Sequence, residues 1–220
     1  MPLSSSFNSG TVYPMSTTAI PSRTVRTLAL AGVSDPNGWG SGVPAPWNNG
    51  VLAGTPQPYL LNQGAPSIVS PQPGGGNWGA IELLFGTHGV VVNPQGMSLG
   101  GGSWTPGTPY INSFVNPVGA GSLITILSQT NQGFGGDPIV NVTDSQGNVY
   151  TKINLPLPSL AGVVVYHVTL AAGGPLTITA TVQNSTSNAS NAGICNEFTN
   201  VDPFGGTFSL GTTQGGIILL

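Results

Sequence analysis

The side chains that could do chemistry are few in this chain of 220 residues, of which charged residues make up 4%. An ordinary soluble domain carries roughly 25%. The ionisable side chains other than tyrosine are Arg23, Arg26, Asp35, Glu82, His88, Asp137, Asp144, Lys152, His167, Cys195, Glu197 and Asp202. No triad, paired carboxylates or zinc-ligand spacing emerges from so scattered a set. The sequence therefore predicts a protein that is not an enzyme and that carries neither a cofactor nor a metal.

Two groups of residues lie close enough in sequence to be weighed as sites. Glu82 and His88 could form an acid–base pair or bind a metal, but no nucleophile or third ligand follows at a recognisable spacing. Asp144, Ser145 and Asn148 could offer oxygen atoms to Ca²⁺, which needs six or more. We interpret the first pair as a strand carboxylate and a turn histidine. We interpret the second group as a hairpin turn held by Asx hydrogen bonds.

Three further residues fall within predicted strands and are expected to be structural. Cys195 is predicted to be a small buried apolar side chain, because a lone cysteine cannot form an intramolecular disulfide. His167 is predicted to be a hydrogen-bonded residue of a buried strand. Glu197 precedes Phe198, and we expect it to be exposed on the face opposite the core.

The low charge also limits the partners of the chain. Three basic side chains cannot neutralise a nucleic-acid backbone or form the polybasic patch that anionic lipids attract. We therefore expect neither nucleic acid nor membrane as a partner. A net charge of -3 protects a surface of this size poorly against association, so the composition favours a subunit packed against other subunits.

Residues 1–112 are predicted to form a long extended arm, because 34 glycines and 20 prolines disfavour long helices and the arm is rich in Pro and Gly breakers. Within the arm, a possible hairpin at 78–92 would join Ala80–Phe85 to Val90–Val92 through Gly86–Gly89. Widely spaced aromatic side chains in an extended segment suit pockets on a neighbouring surface. The predicted aromatic contacts with a partner are Trp39, Trp47, Tyr59, Trp78 and Trp104.

Residues 113–205 are predicted to form an antiparallel β-sandwich. Short runs of β-branched residues alternate with period two and are separated by turn signals, as in Leu176–Gln183, where Ile178 and Ala180 point inward and Thr177 and Thr179 outward. The predicted strands are Ser122–Ser128, Ile139–Thr143, Asn148–Ile153, Val163–Thr169, Leu176–Gln183 and Ile194–Val201.

Three motifs carry a resemblance to a known class of domain. They are Val140–Tyr150, with its Asp-Ser-Gln-Gly-Asn turn, the Ala-Gly-rich turn before Leu176–Thr181, and Glu197–Val201. Together they resemble the immunoglobulin-like sandwich modules of tailed-phage structural proteins and bacterial surface proteins, over roughly 80 residues. The resemblance implies an all-β, Ig-like or jelly-roll sandwich that serves as a binding or display module. It implies no catalytic residues.

Residues 206–220 form a predicted apolar tail. Four large apolar residues at its end, Ile217, Ile218, Leu219 and Leu220, would promote aggregation if exposed. They could add a strand to the edge of this domain or pair with a neighbouring subunit, and we favour the neighbour.

The function that fits these expectations is a viral structural protein, a capsid decoration (cement) or tail subunit whose arm binds neighbouring subunits. Its partners would be the major capsid or tail protein and copies of itself. It would be made in the host cytoplasm, since residues 1–7 lack the basic and apolar regions of a signal peptide, and would reside in the virion. The alternative is a bacterial or archaeal surface filament subunit, or an adhesin-like module that binds glycans outside the cell.

Overall fold

A computed structural model describes most of the chain. The backbone is described for residues 4–10, 15–16, 27–34, 59–61, 69–70, 78–103, 105, 107–130, 139–154, 163–182, 190–202 and 217–219. Side chains are described within residues 85–99, 105, 107–127, 139, 141–153, 165–181 and 193–202. Over these ranges the chain forms strands and no helix, so the prediction of an all-β protein is confirmed.

The strands, in chain order, are β1 Ser4–Gly10, β2 Met15–Ser16, β3 Thr27–Ser34, β4 Tyr59–Leu61, β5 Val69–Ser70, β6 Trp78–Ser103, β7 Pro109–Ser113, β8 Leu123–Thr130, β9 Ile139–Asp144, β10 Thr151–Asn154, β11 Val163–Thr169, β12 Thr177–Val182, β13 Ser190–Val201 and β14 Ile217–Leu219.

Two antiparallel sheets make up the fold, as in a β-sandwich. The large sheet has the order β10-β11-β8-β13-β6-β1-β14, and β3 also pairs with β6 and with β4. The small sheet has the order β7-β12-β9. A separate two-stranded pair joins β2 to β5.

The core between the two sheets follows from the alternation of apolar and polar residues. On β12, Ile178 and Ala180 are fully buried, while Thr177 and Thr179 alternate with them and are partly exposed, as predicted. These side chains meet residues of the large sheet, including Ile126 on β8. Burying one large aliphatic side chain contributes about 2 kcal/mol, so this alternation is a main source of stability. Tyr166 crosses the core and donates a hydrogen bond from its hydroxyl to the Ile139 carbonyl, at 3.0 Å.

The central strand β8 is also buried on its other face. On β8, Ile124 and Ile126 face the small sheet, and Leu123 and Thr125 point the opposite way yet are equally inaccessible to solvent. β3 contacts β8 and β11, and the ring of Phe85 packs edge-on against His167 with 6.0 Å between ring centroids. The prediction of a central strand at Ser122–Ser128 is therefore confirmed, and the strand has no solvent-facing side.

The structure has one continuous strand where the sequence predicts a hairpin at 78–92. The first part of β6 lies between β1 and β3, and the second part pairs with β13. Thr87, in the predicted turn, pairs with Val201, and the backbone amide of Asp202 donates to the Gly86 carbonyl at 2.9 Å. Because these groups find partners on β13, the Gly-rich segment continues the strand instead of reversing it.

Strands on both sides of residue 112 share the same sheets. β6 and β7 precede the predicted sandwich of residues 113–205, and they pair with β13 and β12 respectively. The division into arm, sandwich and tail stays a prediction.

The turn at Asp144 is built as predicted but joins different elements. Asp144 Oδ1 accepts hydrogen bonds from the backbone amides of Gln146 and Asn148, at 2.9 and 3.0 Å. Its Oδ2 accepts from Asn148 Nδ2 and from the Tyr150 hydroxyl, both at 2.9 Å. Burial, reinforced by this carboxylate, raises the pKa of Tyr150. Since β9 belongs to the small sheet and β10 to the large one, the turn links the two sheets and is not a hairpin.

We predict that His167 makes the fold sensitive to acid. Burial lowers the pKa of His167 from its ordinary 6.5 to about 4, so between these values the unfolded chain binds a proton that the folded chain excludes. As pH falls from 6.5 to 4, this one group should remove about 3 kcal/mol from the free energy of unfolding. Urea unfolding of the full chain across this pH range measures the loss.

The informative comparison is the pH slope of the His167→Gln variant, because its absolute stability also reflects repacking. Between pH 6.5 and 4, the free energy of unfolding of this variant should fall by about 3 kcal/mol less than that of the wild type. The control variant Thr143→Val changes an exposed side chain that does not titrate, retains both histidines and should keep the wild-type slope. Equal slopes in the wild type and His167→Gln would show that His167 is not buried in its neutral form.

Candidate functional site: a polar cleft over a buried carboxylate

The most unusual polar group in the described residues is the carboxylate of Glu197. Its side chain is 2% exposed, so the prediction that Glu197 is exposed is wrong. β13 lies between β6 and β8 in the middle of the large sheet. The neighbouring residues Asn196 and Phe198, which alternate with Glu197 and point to the other face, are each 1% exposed. Neither face of β13 is therefore open to solvent at this position.

Hydrogen-bond donors from two elements compensate the burial of Glu197. Its Oε2 accepts from Gln95 Nε2 on β6 at 2.7 Å. Its Oε1 accepts from the Ser122 hydroxyl at 2.7 Å and from the backbone amide of Gly119 at 2.8 Å. Among the described residues no Lys, Arg or His forms an ion pair with Glu197. Short bonds to a carboxylate are roughly twice as strong as neutral ones, and three of them replace the hydration of the charge.

Gln95 extends this network to the segment before β8. Its Nε2 also donates to the Asn116 carbonyl at 3.0 Å, and its Oε1 accepts from the Asn116 amide at 3.1 Å. Glu197 and Gln95 thereby fix the turn of residues 119–122 against β6 and β13. Sequence reasoning missed this arrangement. The only local signal is an acid next to Phe198 in a strand, and its partners lie 75 to 102 residues away.

Above this network, at one end of the large sheet, lies an open cleft of about 280 Å³. Small and polar residues predominate in its lining. They are His88, Gly119, Ala120, Gly121, Ser122, Thr169, Thr199, Asn200 and Val201. The Glu197 network supports its floor, because Gly119 and Ser122 both contact that carboxylate.

A bulge in β6 borders the cleft. Between the pairs Thr87↔Val201 and Val92↔Thr199, five residue steps on β6 face two on β13. The extra residues displace β6 outward and leave Val90 79% exposed. Asn200 supports the bulge by donating a hydrogen bond from Nδ2 to the Val90 carbonyl at 2.6 Å. Bulges of this kind are frequent beside functional sites, where they change the direction of a side chain.

His88, at the rim of the cleft, pairs with a residue that the sequence did not indicate. Its Nδ1 lies 3.1 Å from Asp202 Oδ1, and both side chains are about half exposed. The sequence instead suggested weighing His88 with Glu82, whose side chain lies outside the described ones. Asp202 is 114 residues from His88, and only the pairing of β6 with β13 brings them together.

The remaining candidate groups serve the core or lie outside the described residues. Cys195 is fully buried, as predicted, and burial raises the pKa of its thiol. Nowhere in the described part of the chain do three His, Cys, Asp or Glu side chains cluster as metal ligands would.

The predicted partner contacts are placed only in part. Trp39, Trp47, Trp104 and Leu220 lie outside the described residues. The backbones of Tyr59 and Trp78 belong to β4 and β6. Ile217, Ile218 and Leu219 form β14, which pairs with β1 of the same chain. Their contact with a partner stays a prediction.

The chain matches no known protein-family model, no curated protein and no solved structure. The likeness to immunoglobulin-like modules therefore stays a prediction from the three motifs. A search of the described residues for a helix long and apolar enough to cross a membrane finds none.

Replacing Glu197 by Gln should destabilise the fold by about 2–3 kcal/mol. The amide keeps the size of the side chain but turns one accepting oxygen into a donor, which would then face Gln95, Ser122 or Gly119. Urea unfolding at neutral pH gives the difference. The control Asp202→Asn removes a half-exposed partner of His88 and should cost less than about 1 kcal/mol. Equal effects of both variants would contradict the role of Glu197.

Proposed function

We propose that this chain is a non-enzymatic structural subunit of a virion, a capsid decoration or tail protein that binds neighbouring subunits. We further infer that its two sheets form an Ig-like or jelly-roll sandwich. The observation that carries the proposal is that most reactive groups among the described residues are committed to holding the fold.

Three of these groups show the commitment most clearly. Both carboxylate oxygens of Asp144 accept hydrogen bonds within the turn between the sheets. Both carboxylate oxygens of Glu197 accept hydrogen bonds, one from β6 and the other from the turn of residues 119–122. Cys195 is fully buried, and its raised pKa keeps it in the unreactive thiol form. A catalytic acid, base or nucleophile must instead be accessible to a substrate.

The outer face of the small sheet supports assembly as the mode of action. Its middle row, on neighbouring strands, is Ile111, Thr179 and Thr143, and Ile111 is 63% exposed. Asp144 is the one charged residue in β7, β9 and β12, and it is bound within its own turn. Burying an uncharged face against a neighbour avoids the large desolvation cost of charged groups.

The partners that fit this proposal are the major capsid or tail protein and further copies of the chain. Contacts among them would use apolar and neutral polar side chains, in keeping with 4% charged residues in the whole sequence. The protein would be made in the host cytoplasm and reside in the virion. Mass spectrometry of particles purified from cells that produce the chain tests this directly. Its absence from those particles would refute the proposal.

A second experiment tests the predicted role of the arm. Changing both Trp39 and Trp47 to Ala should weaken binding to the partner subunits at least tenfold, because aromatic anchors dominate such interfaces. Co-sedimentation with purified particles measures binding, and thermal unfolding of the isolated chain should be nearly unchanged. Changing both residues to Phe is the control, since it keeps most of the aromatic area. If the Ala variant loses thermal stability as well as binding, these tryptophans belong to the core of the chain itself.

A further inference from the structure

Several features that lower the stability of the fold lie together at the cleft beside His88. The β6 bulge, a left-handed residue and a buried polar atom without a partner all lie there. We propose that this cleft binds a single sugar residue of a glycan, a binding site separate from the surfaces that would hold the subunit in an assembly.

The backbone beside the cleft has one residue in an uncommon conformation. Asn200 has φ = 62°, the left-handed region that side chains other than glycine rarely adopt. Its side chain lies so close to Gly89 that a Cβ there would be 3.1 Å from Asn200 Cγ. A side chain at position 89 would therefore press against Asn200, whose amide supports the bulge. Such strain concentrates at functional sites.

The lining of the cleft offers hydrogen bonds to a hydroxylated ligand. Thr169 Oγ1 is buried, and no described group bonds to it. A buried hydroxyl without a partner costs about 1–3 kcal/mol, which a ligand hydroxyl bound to it would recover. Thr199 and Asn200 also line the cleft, and the His88–Asp202 pair lies at its rim. The hydroxyl, amide and carboxylate groups of these residues are the kinds of group that form hydrogen bonds with the hydroxyls of a sugar ring.

The charge of the site disfavours an anion. Asp202 lies at the rim, and the Glu197 carboxylate lies beneath the floor, bonded to Gly119 and Ser122. Among the described residues that line the cleft there is no Lys or Arg. In the described part of the cleft, a phosphate, sulfate or sialic acid would therefore meet these two carboxylates and no Lys or Arg that balances its charge.

Metal ions and apolar ligands are disfavoured as well. Calcium requires six or more oxygen ligands and generally several carboxylates, whereas Asp202 is the one acid among the described residues at the rim of this cleft. Apolar ligands need a largely hydrophobic lining, and apart from Ala120 and Val201 the described lining consists of glycine and polar residues. A volume of about 280 Å³ lies at the lower end of the range for ligand pockets, which suits one sugar ring.

Titration of the full chain with simple sugars tests the proposal. The probes are the methyl glycosides of glucose, galactose and mannose, and N-acetylglucosamine, each to about 50 mM, because single sugars bind with millimolar affinity. Amide NMR spectra of the ¹⁵N-labelled protein should show saturable shifts at Gly89, Gly121 and Asn200 for at least one sugar. Glycerol at the same concentration should give none.

A pair of matched variants locates the binding. Thr169→Val keeps the side-chain shape, removes the hydroxyl, and should weaken binding of the same sugar about tenfold without lowering thermal stability. Thr143→Val makes the same change on the exposed face of the small sheet and should leave binding unchanged. The proposal is overturned if no sugar gives saturable shifts, if glycerol gives the same shifts, or if Thr169→Val binds as the wild type does.

Discussion

The need to satisfy the buried carboxylate of Glu197 determines how the centre of this fold is put together. A charge in the interior is tolerated only where donors replace its hydration, and here they come from β6 and the turn that leads into β8. The same bonds fix that turn in the floor of the cleft. The stability of the large sheet and the shape of the candidate site thus depend on one set of hydrogen bonds.

β6 connects the two halves of the large sheet. Its first part pairs with β1 and β3, and its second part pairs with β13. Since β3 also contacts β8 and β11, the other face of these strands is covered, and His167 is buried beside Phe85. A bulge in the same strand, where it begins to pair with β13, opens the cleft. The long pairing of β6 with its neighbours therefore stabilises the sheet. The bulge in the same strand borders the candidate site.

The polar and reactive groups of the structure differ in how far the sequence predicts their surroundings. The Asp144 turn is predictable because its donors lie within six residues of it. The burial of Cys195 is predictable because a lone cysteine in an apolar strand behaves as a small hydrophobe. The sequence does not predict the contact of Glu197 with Gln95 or that of His88 with Asp202. Their separations of 102 and 114 residues leave no periodic signal in the chain.

The sequence by itself determined the all-β class and most of the strands from β8 to β13, because period-two alternation is a local property of each segment. The scarcity of charge is likewise a property of the sequence alone. Only the tertiary structure decided that residues 78–103 form one strand, that β9 and β10 belong to different sheets, and that Glu197 is buried. The physical reason is that backbone groups and carboxylates form hydrogen bonds with the groups that the strand order places beside them. That order is set by contacts between segments far apart in the chain.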